Sequence, residues 1–249
     1  MSVRIKSSKE IASMREGAAI LRKVQESLRA KIAPGVTLKQ LDTLAENIIR
    51  SAKAEPSFKG YQGFPATLCT MINSEVVHGI PDDRALKKGD LLSVDCGVKY
   101  KNLHTDAAFS VIVGGDEQNP TRARFSQCVR EALLSGCKKA VAGNRIGDIG
   151  NAIEKVIRRG GYRVCREYTG HGFGYDLHEE PHVYNYGKPG TGELLEEGMT
   201  LAIEPIIASG NPETKTLSDN WTVVTVDGRD ACQWEHCGVV TKSGFEIFV

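Results

Sequence analysis

The sequence has no apolar stretch long enough to cross a membrane. No run approaches the roughly 18 consecutive apolar residues of a spanning helix. The N-terminal segment MSVRIKSSKE also shows no apolar stretch after its basic residues, whereas a secretory signal needs one. We therefore expect a cytoplasmic location and no membrane partner.

The sequence also lacks an excess of charge and any closely spaced pair of cysteines. The formal net charge is +1, which gives no electrostatic reason to expect a nucleic-acid-specific site. Seven cysteines are present, none in a CxxC pair, and an odd number without an export signal indicates reduced thiols. The 249 residues, 41% of them hydrophobic, can bury a sizeable core as one large domain or two small ones.

A weak internal repeat runs through the chain at an offset of 108 positions. IAPGVTLKQLDTLAENIIRS begins at residue 32, and AVAGNRIGDIGNAIEKVIRR begins at residue 140. Gly35 then matches Gly143, and apolar residues recur three and four apart in both segments, as in amphipathic helices. Thr37 and Gln40 make a capping box at the start of the first helix.

Each repeated helix follows another helical pattern and precedes strand-like sequence. This order predicts a single α+β catalytic domain over residues 1–249, built from two related halves at about 1–110 and 111–249. Its helices would pack on one face of a mostly antiparallel sheet. The alternative is a chance similarity between two unrelated helix pairs.

Two aspartates lie in strand-like segments that read as a hairpin. Asp95 is in DLLSVDCGV and Asp106 is in HTDAAFSVIV, with KYKN as the turn between them. A turn centred on Tyr100 and Lys101 would place the aspartates directly opposite, with Cβ atoms about 4.5–5.5 Å apart. Such carboxylates need a neighbouring positive charge, because a buried unpaired carboxylate costs several kcal/mol. A distant Lys or Arg, an exposed hairpin, or a metal ion would each satisfy this need.

The second half of the sequence contains further metal-binding side chains. Glu204 lies in TLAIEPIIA, Glu235 lies in CQWEHCGVVT, and His171 stands between glycines in TGHGFG. Taken alone, each of these glutamates is more often a salt-bridged or edge-strand acid. No helix pattern follows the glycines, which argues against a phosphate loop, so we expect them to let the backbone approach a ligand. Four carboxylates and one imidazole suit two divalent cations, which can activate a water for hydrolysis.

Six segments together resemble the type I methionine aminopeptidases over essentially the whole chain: INSEVVHGIPD, GDLLSVDCGV, HTDAAFSVIVG, TGHGFGYDLHEEPHV, GMTLAIEPI and WEHCGVVT. The resemblance implies the pseudo-twofold "pita-bread" fold. In that α+β fold, a curved, mostly antiparallel sheet has two helix pairs on its outer face and the metal site on its inner face. The implied activity is metal-dependent removal of an N-terminal methionine that precedes a small residue. Asn102 departs from the family, which commonly has glycine at that turn position.

The resemblance also implies a role for each matching residue. Two divalent ions (Co, Mn, Fe or Zn) would be bound by Asp95, Asp106, His171, Glu204 and Glu235. Glu204 would also accept and return a proton, and His78 and His178 would contact the substrate as catalytic residues. The methionine pocket would be lined by Tyr61, Phe64, Cys69, Trp221 and Gln233, together with the two histidines.

Two other functions remain possible at this point. Proline-specific aminopeptidases and dipeptidases have the same fold and metal site, although they normally carry an additional N-terminal domain. A non-catalytic binding homologue would be expected to have lost metal ligands. For the aminopeptidase, the expected partners are a peptide or nascent-chain N-terminus and, transiently, the ribosome, and the expected state is a monomer.

Overall fold

The structure is a computed structural model that describes residues 3–249. In this part of the chain, four α-helices and fifteen strands are present, and none of the helices is long and apolar enough to cross a membrane. The helices are α1 (Ser8–Lys31), α2 (Leu38–Ser51), α3 (Pro120–Cys137) and α4 (Ile146–Arg159). The strands are β1 (Glu55–Pro56), β2 (Leu68–Ile72), β3 (Glu75–Val77), β4 (Leu91–Tyr100), β5 (Leu103–Ile112), β6 (Arg163–Val164), β7 (Gly170–Gly172), β8 (Glu179–Val183), β9 (Thr200–Ile203), β10 (Ile206–Ala208), β11 (Thr214–Thr216), β12 (Val223–Thr225), β13 (Ala231–Gln233), β14 (His236–Val240) and β15 (Phe245–Ile247).

The two predicted helices of the repeat, α2 and α4, are both present and both 14 residues long. The predicted capping box is formed: the Thr37 hydroxyl accepts from the Gln40 N–H at 3.2 Å, and the Gln40 side chain accepts from the Thr37 N–H at 3.0 Å. The two helices begin 108 positions apart. Gly35 and Gly143 precede them with φ of 89° and 94°, a conformation that favours glycine.

The strands form antiparallel ladders, as predicted. Throughout residues 3–249, every strand-to-strand pairing is antiparallel. The curved sheet is divided into four groups: β1-β4-β2 with β5 on β4, β13-β10-β6, β11-β12-β3, and β15-β14-β9-β7-β8. One division falls between β9 and β10, where Pro205 has no N–H to continue a ladder. Glu204 precedes this proline, and Glu235 lies in the corresponding gap between β13 and β14.

The predicted register of the β4–β5 hairpin is wrong by two residues. Asp95 pairs with Ala108, not with Asp106. The turn consists of Lys101 and Asn102, whose φ values are 50° and 63°. Two consecutive positive φ angles make a type I′ turn, whose twist matches that of the flanking strands. Because the error is an even number of residues, the aspartates still share one face, as diagonal neighbours.

The helix pairs cover one face of the strands and leave the other face for the site. Val94 and Cys96 of β4 are buried against α1 and α2, in one cluster with Leu28 and Leu41. Asp95 lies between them in the strand and therefore points to the opposite face. The second helix pair packs in the same way on β9 and β10, in a cluster that includes Leu133, Ile149, Ile153, Leu201, Ile203 and Ile207.

Candidate metal centre and substrate cavity

A cavity of about 490 Å³ opens on the face away from the helices. All twelve side chains predicted for the site line it: Tyr61, Phe64, Cys69, His78, Asp95, Asp106, His171, His178, Glu204, Trp221, Gln233 and Glu235. They come from both halves of the chain, from strands, turns and the two gaps between ladders. The structure therefore brings the whole predicted set together.

The five predicted metal ligands are neighbours at the floor of this cavity. Ligand atoms of Asp106, His171 and Glu235 all lie within 4.8 Å of one another. The Glu204 Oε1 is 3.6 Å from the His171 Nε2. The Asp95 carboxyl adjoins those of Asp106 and Glu235. Asp95 comes from β4 and Asp106 from β5. Glu204 comes from the gap between β9 and β10, and Glu235 from the gap between β13 and β14.

The glycines around His171 serve a different purpose from the predicted one. A Cβ atom on Gly170 would lie 2.3 Å from the carbonyl oxygen of Ala202, and one on Gly172 would lie 2.3 Å from that of Glu180. The glycines therefore admit the neighbouring strand backbones, and not a ligand. The segment is strand β7, in agreement with the expectation that it is not a phosphate loop.

The hydrogen bond of His171 defines which of its nitrogens can bind a cation. Its Nδ1 lies 2.9 Å from the carbonyl oxygen of Gly172, and only a protonated Nδ1 can donate to a carbonyl. The neutral ring then carries its lone pair on Nε2, which faces Glu204. A backbone acceptor of this kind orients many metal-binding histidines.

The carboxylates of the site have more acceptor oxygens than the protein satisfies. Among residues 3–249, Asp95 and Asp106 each have one buried oxygen without a hydrogen-bond partner, and Glu235 has two. No Lys or Arg in that range forms an ion pair with any of the four acids; the sole partner is His171, on Glu204. The alternatives of a distant Lys or Arg and of an exposed hairpin are therefore wrong.

Burial shifts the ionisation of all five groups towards their neutral forms. It raises the pKa of Asp95 to about 6. It also holds the pKa values of Asp106, Glu204 and Glu235 well above those of ordinary carboxyls, and repulsion from neighbouring carboxylates raises these three further. Burial also lowers the pKa of His171 to about 3. Divalent cations would relieve this cost, and four oxygen donors with one imidazole fit manganese, iron, cobalt or zinc.

Two amide side chains hold Glu204 in place. The Gln233 Nε2 donates to the Glu204 Oε2 at 3.0 Å, and the Asn185 Nδ2 donates to the Glu204 carbonyl at 2.9 Å. Gln233, predicted only as a lining residue, thus also orients an acid of the site. Asn185 was not among the predicted residues, because nothing in the segment VYNYG distinguishes it from a loop asparagine.

An apolar recess adjoins the carboxylates. Its rings include Phe64 and Trp221, whose centroids are 5.1 Å apart. His178 lies above it, with its Nδ1 3.0 Å from the Tyr61 hydroxyl. Sequence reasoning missed several residues that also line the cavity, since their apolar or isolated polar character carries no signal of its own: Phe58, Tyr168, Leu177 and Ile206.

Comparison with known proteins gives the family. The description "Metallopeptidase family M24" matches residues 12–242. The chain is 44% identical to a methionine aminopeptidase of Clostridium acetobutylicum and covers 97% of it with 98% of its own length. It is 42% identical to methionine aminopeptidase 1 of Bacillus subtilis, with 97% of each chain covered. The chain belongs to the methionine aminopeptidases of metallopeptidase family M24.

A solved structure agrees with this assignment. The crystal structure of a methionine aminopeptidase from Thermotoga maritima matches with a TM-score of 0.96 at 38% identity, with 99% of each chain covered. The predicted pita-bread fold and family resemblance are confirmed. Family membership makes the chain a metallopeptidase that uses divalent metal ions, which the buried Asp, His and Glu cluster fits.

The proline-specific alternative is not favoured. A prolidase from Pyrococcus furiosus matches with a TM-score of 0.77, but at 22% identity and with only 64% of that protein covered. A likeness at this level shows the shared fold alone. The non-catalytic alternative is also not favoured, because the close relatives are named as aminopeptidases.

The ionisation of the site predicts how the stability of the metal-free protein depends on pH. The carboxyls keep their protons to higher pH in the folded protein than in the unfolded chain, so folding loses stability as pH rises through their folded pKa values. Histidines with lowered pKa act in the opposite direction, but only below about pH 6.5, and cysteines titrate above about pH 8.5. Between those limits, the free energy of unfolding of chelated protein should fall with rising pH.

Urea unfolding of chelated protein at several pH values in this window would measure the fall. Saturating Mn²⁺ should remove it, because the cation replaces the protons. Glu235→Gln, which has one ionisable group fewer, should show a smaller fall. A free energy of unfolding that is independent of pH in the chelated protein would contradict the assignment of these acids as buried and unpaired.

Proposed function

We propose that this chain removes the N-terminal methionine from peptides and nascent proteins, preferring a small second residue. The observation that carries the proposal is the shared cavity: five metal-binding side chains and an apolar recess of aromatic rings and sulfur lie side by side in it. The relatives' names indicate the substrate, since proteins that are 42% and 44% identical to this chain are called methionine aminopeptidases.

Two divalent ions would be held by Asp95, Asp106, His171, Glu204 and Glu235. Such ions supply Lewis acidity, which polarises a carbonyl group and lowers the pKa of water. Support for this set comes from the partnerless carboxylate oxygens and from the free Nε2 of His171. The four negative charges of the carboxylates would balance the four positive charges of two divalent cations.

Glu204 is the group best placed to move a proton. Its Oε2 is occupied by the Gln233 amide, which fixes the carboxylate plane. The other oxygen, Oε1, remains available beside His171. It would accept a proton from the attacking water and pass it to the departing amine, as a general base and then a general acid.

His178 and His78 would bind the peptide carbonyl and amide through hydrogen bonds. Burial lowers the pKa of His178 to about 4 and also lowers the pKa of His78, so both rings are neutral at pH 7. If the Tyr61 hydroxyl donates to the His178 Nδ1, the proton of that ring lies on Nε2. A neutral N–H aimed at the substrate can stabilise a developing oxyanion.

The recess would hold the methionine side chain. Phe64 and Trp221 meet edge to face, and Cys69 places a buried sulfur beside them. Aromatic rings and sulfur make favourable contacts with a thioether. A long, unbranched side chain fits such a recess better than the β-branched isoleucine, so the recess would favour methionine.

We also propose that residues 1–249 form one catalytic domain of two related halves, about 1–110 and 111–249. The equal lengths of α2 and α4 support it, as does the 109-residue separation of Asp95 and Glu204. Each acid lies six positions after a glycine with a positive φ: Asp95 after Gly89, and Glu204 after Gly198. A single cooperative unfolding transition, seen alike by tryptophan fluorescence and circular dichroism, would support one domain.

The finer partners and location are proposals as well. All proposed site residues come from one chain, which supports an active monomer. All seven cysteines are free, which supports a reducing compartment such as the cytoplasm. There the substrate would be a nascent N-terminus, reached through transient contact with the ribosome.

Although the net charge of the whole chain is close to zero, one part of its surface is basic and could contact the ribosome. Residues 120–166, which include α3 and α4, hold eleven Lys and Arg but three Asp and Glu, a net charge of +8. The matching segment 12–58 of the first half carries +3. Five exposed cations form no ion pair within residues 3–249 and line shallow depressions beside α4: Lys139, Lys155, Arg158, Arg159 and Arg163. Such a surface binds RNA phosphates without reading bases, which is compatible with the absence of a nucleic-acid-specific site.

The activity should require a divalent metal and should select methionine. A chelator should abolish hydrolysis of Met-Ala-Ser, and Co²⁺, Mn²⁺ or Fe²⁺ should restore it, because the carboxylates repel one another without a cation. Leu-Ala-Ser and Ala-Pro should be cut far less well, and Met-Lys-Ser should be rejected. Full turnover by thoroughly demetallated protein, or faster hydrolysis of Ala-Pro, would refute the proposed activity.

The two glutamates should differ in how they respond to substitution. Glu204→Gln removes both a ligand charge and the base, so kcat should fall by more than the roughly 10²–10⁴-fold of a general base alone. Glu235→Gln removes a ligand charge only and should recover part of its activity at saturating metal. The measurement is kcat against metal concentration, with bound metal counted by elemental analysis.

His178→Ala serves as the control for these variants. It should bind metal normally and lose mainly transition-state stabilisation, about 2.7–4 kcal/mol if it is the sole oxyanion donor. A Glu204→Gln protein that binds two ions and turns over like the wild type would show that the acid–base assignment is wrong, even if the ligand set is right.

The basic surface can be tested separately from catalysis. Lys155→Gln, Arg158→Gln and Arg159→Gln together should weaken co-sedimentation with ribosomes. The salt slope of binding should fall by about 1 for each phosphate that the variant no longer binds, while turnover of Met-Ala-Ser stays unchanged. Arg50→Gln, at the position that matches Arg158, should leave ribosome binding unchanged. Unaltered binding of the triple variant would rule this surface out.

A further inference from the structure

A buried ion pair joins the N-terminal segment to the turn that carries His178. The Lys6 Nζ lies 2.6 Å from the Glu179 Oε2, and the two side chains are 2% and 6% exposed. They are 173 positions apart in the chain. Charged side chains are almost never this deeply buried unless they are paired, so the contact constrains both segments.

Glu179 uses its second oxygen to fix the turn. Its Oε1 accepts the backbone N–H of Tyr175 at 2.7 Å and that of Asp176 at 3.2 Å. The same carboxylate therefore binds Lys6 on one side and the turn on the other. His178 directly precedes Glu179 and belongs to no helix or strand, so this turn sets the path of its backbone, while the Tyr61 hydroxyl contacts its ring.

Lys6 is itself held at several points. Its ammonium also donates to the Arg4 carbonyl at 3.2 Å, and its backbone N–H donates to the Gly198 carbonyl at 3.0 Å. A Cβ atom on Gly174 would lie 2.3 Å from the Lys6 Cε. The side chain therefore passes directly against the start of the turn, where only glycine leaves room for it.

The turn is tied to the metal-site strands as well. The Gly174 carbonyl accepts from the His104 N–H at 2.7 Å, and His104 is two residues before Asp106 in β5. Leu177, which precedes His178 in the turn, is buried in the apolar recess. One end of the turn is thus packed between the N-terminal segment and β5. The other end of the turn places Leu177 and His178 in the cavity.

We infer that Lys6 and Glu179 are positioning residues for the reaction, because their buried ion pair holds the turn at residues 174–178, directly before β8, and so places His178 over the substrate carbonyl. The inference rests on the proposed function, since its main measurement is peptide turnover. Neither residue touches the reacting atoms. Their effect on the rate therefore passes through His178.

The test is a double-mutant cycle between the ion pair and His178. Removing one charge alone leaves the other buried and unpaired, which can unfold the protein, so the variant to use is Lys6→Met with Glu179→Gln. The glutamine oxygen can still accept from the turn, while the link to residue 6 is removed. We expect kcat for Met-Ala-Ser to fall about tenfold or more, part of the 10²–10³-fold that one oxyanion donor contributes. KM and bound metal should be unchanged.

In a His178→Ala background, the same pair of substitutions should change kcat less than about twofold, because groups that act as one unit are not additive. Equal losses in both backgrounds, or a loss of thermal stability with no change in kcat, would overturn the inference. Arg15→Met, which breaks the exposed pair with Glu246, is the matched control and should leave kcat unaffected. A wild-type protein without turnover of Met-Ala-Ser would instead refute the proposed function, so the two failures are distinguishable.

Discussion

Mutual repulsion among buried carboxylates is the constraint on which the rest of the structure depends. Four acids share the floor of one cavity, and no Lys or Arg among residues 3–249 is paired with any of them. Folding must therefore hold them together against their own charge. The two helix pairs and the strands beneath them supply that rigidity, since the cores behind the site consist mainly of buried aliphatic side chains.

The backbone is shaped at each acid to present it. Asp95 and Asp106 point inward because strand residues alternate in direction and their neighbours enter the helix-facing core. The two glutamates are presented differently, because each lies in a gap between two ladders. Glu204 lies next to Pro205, between β9 and β10, and Glu235 lies next to Trp234, between β13 and β14. Interrupted pairing frees the backbone there to turn a side chain inward.

Local patterns in the sequence predicted the helices, the antiparallel strands and the capping box, because periodicity and capping depend on neighbouring residues. The hairpin register was missed because it depends on the turn, and a Lys–Asn pair in left-handed conformation is not an obvious turn sequence. The purpose of the glycines around His171 was also missed, since it depends on backbones distant in the chain. The pairing of Lys6 with Glu179 is invisible for the same reason, because single charges in a sequence usually lie on the surface.

The donors of the site are spread along the chain from residue 95 to residue 235, and this spacing has a consequence for biosynthesis. A growing chain acquires the proposed metal-binding side chains one by one, and the set stays incomplete until Glu235 has been synthesised. The proposed site can therefore be completed only after both helix pairs, which end at Ser51 and Arg159, have already been synthesised.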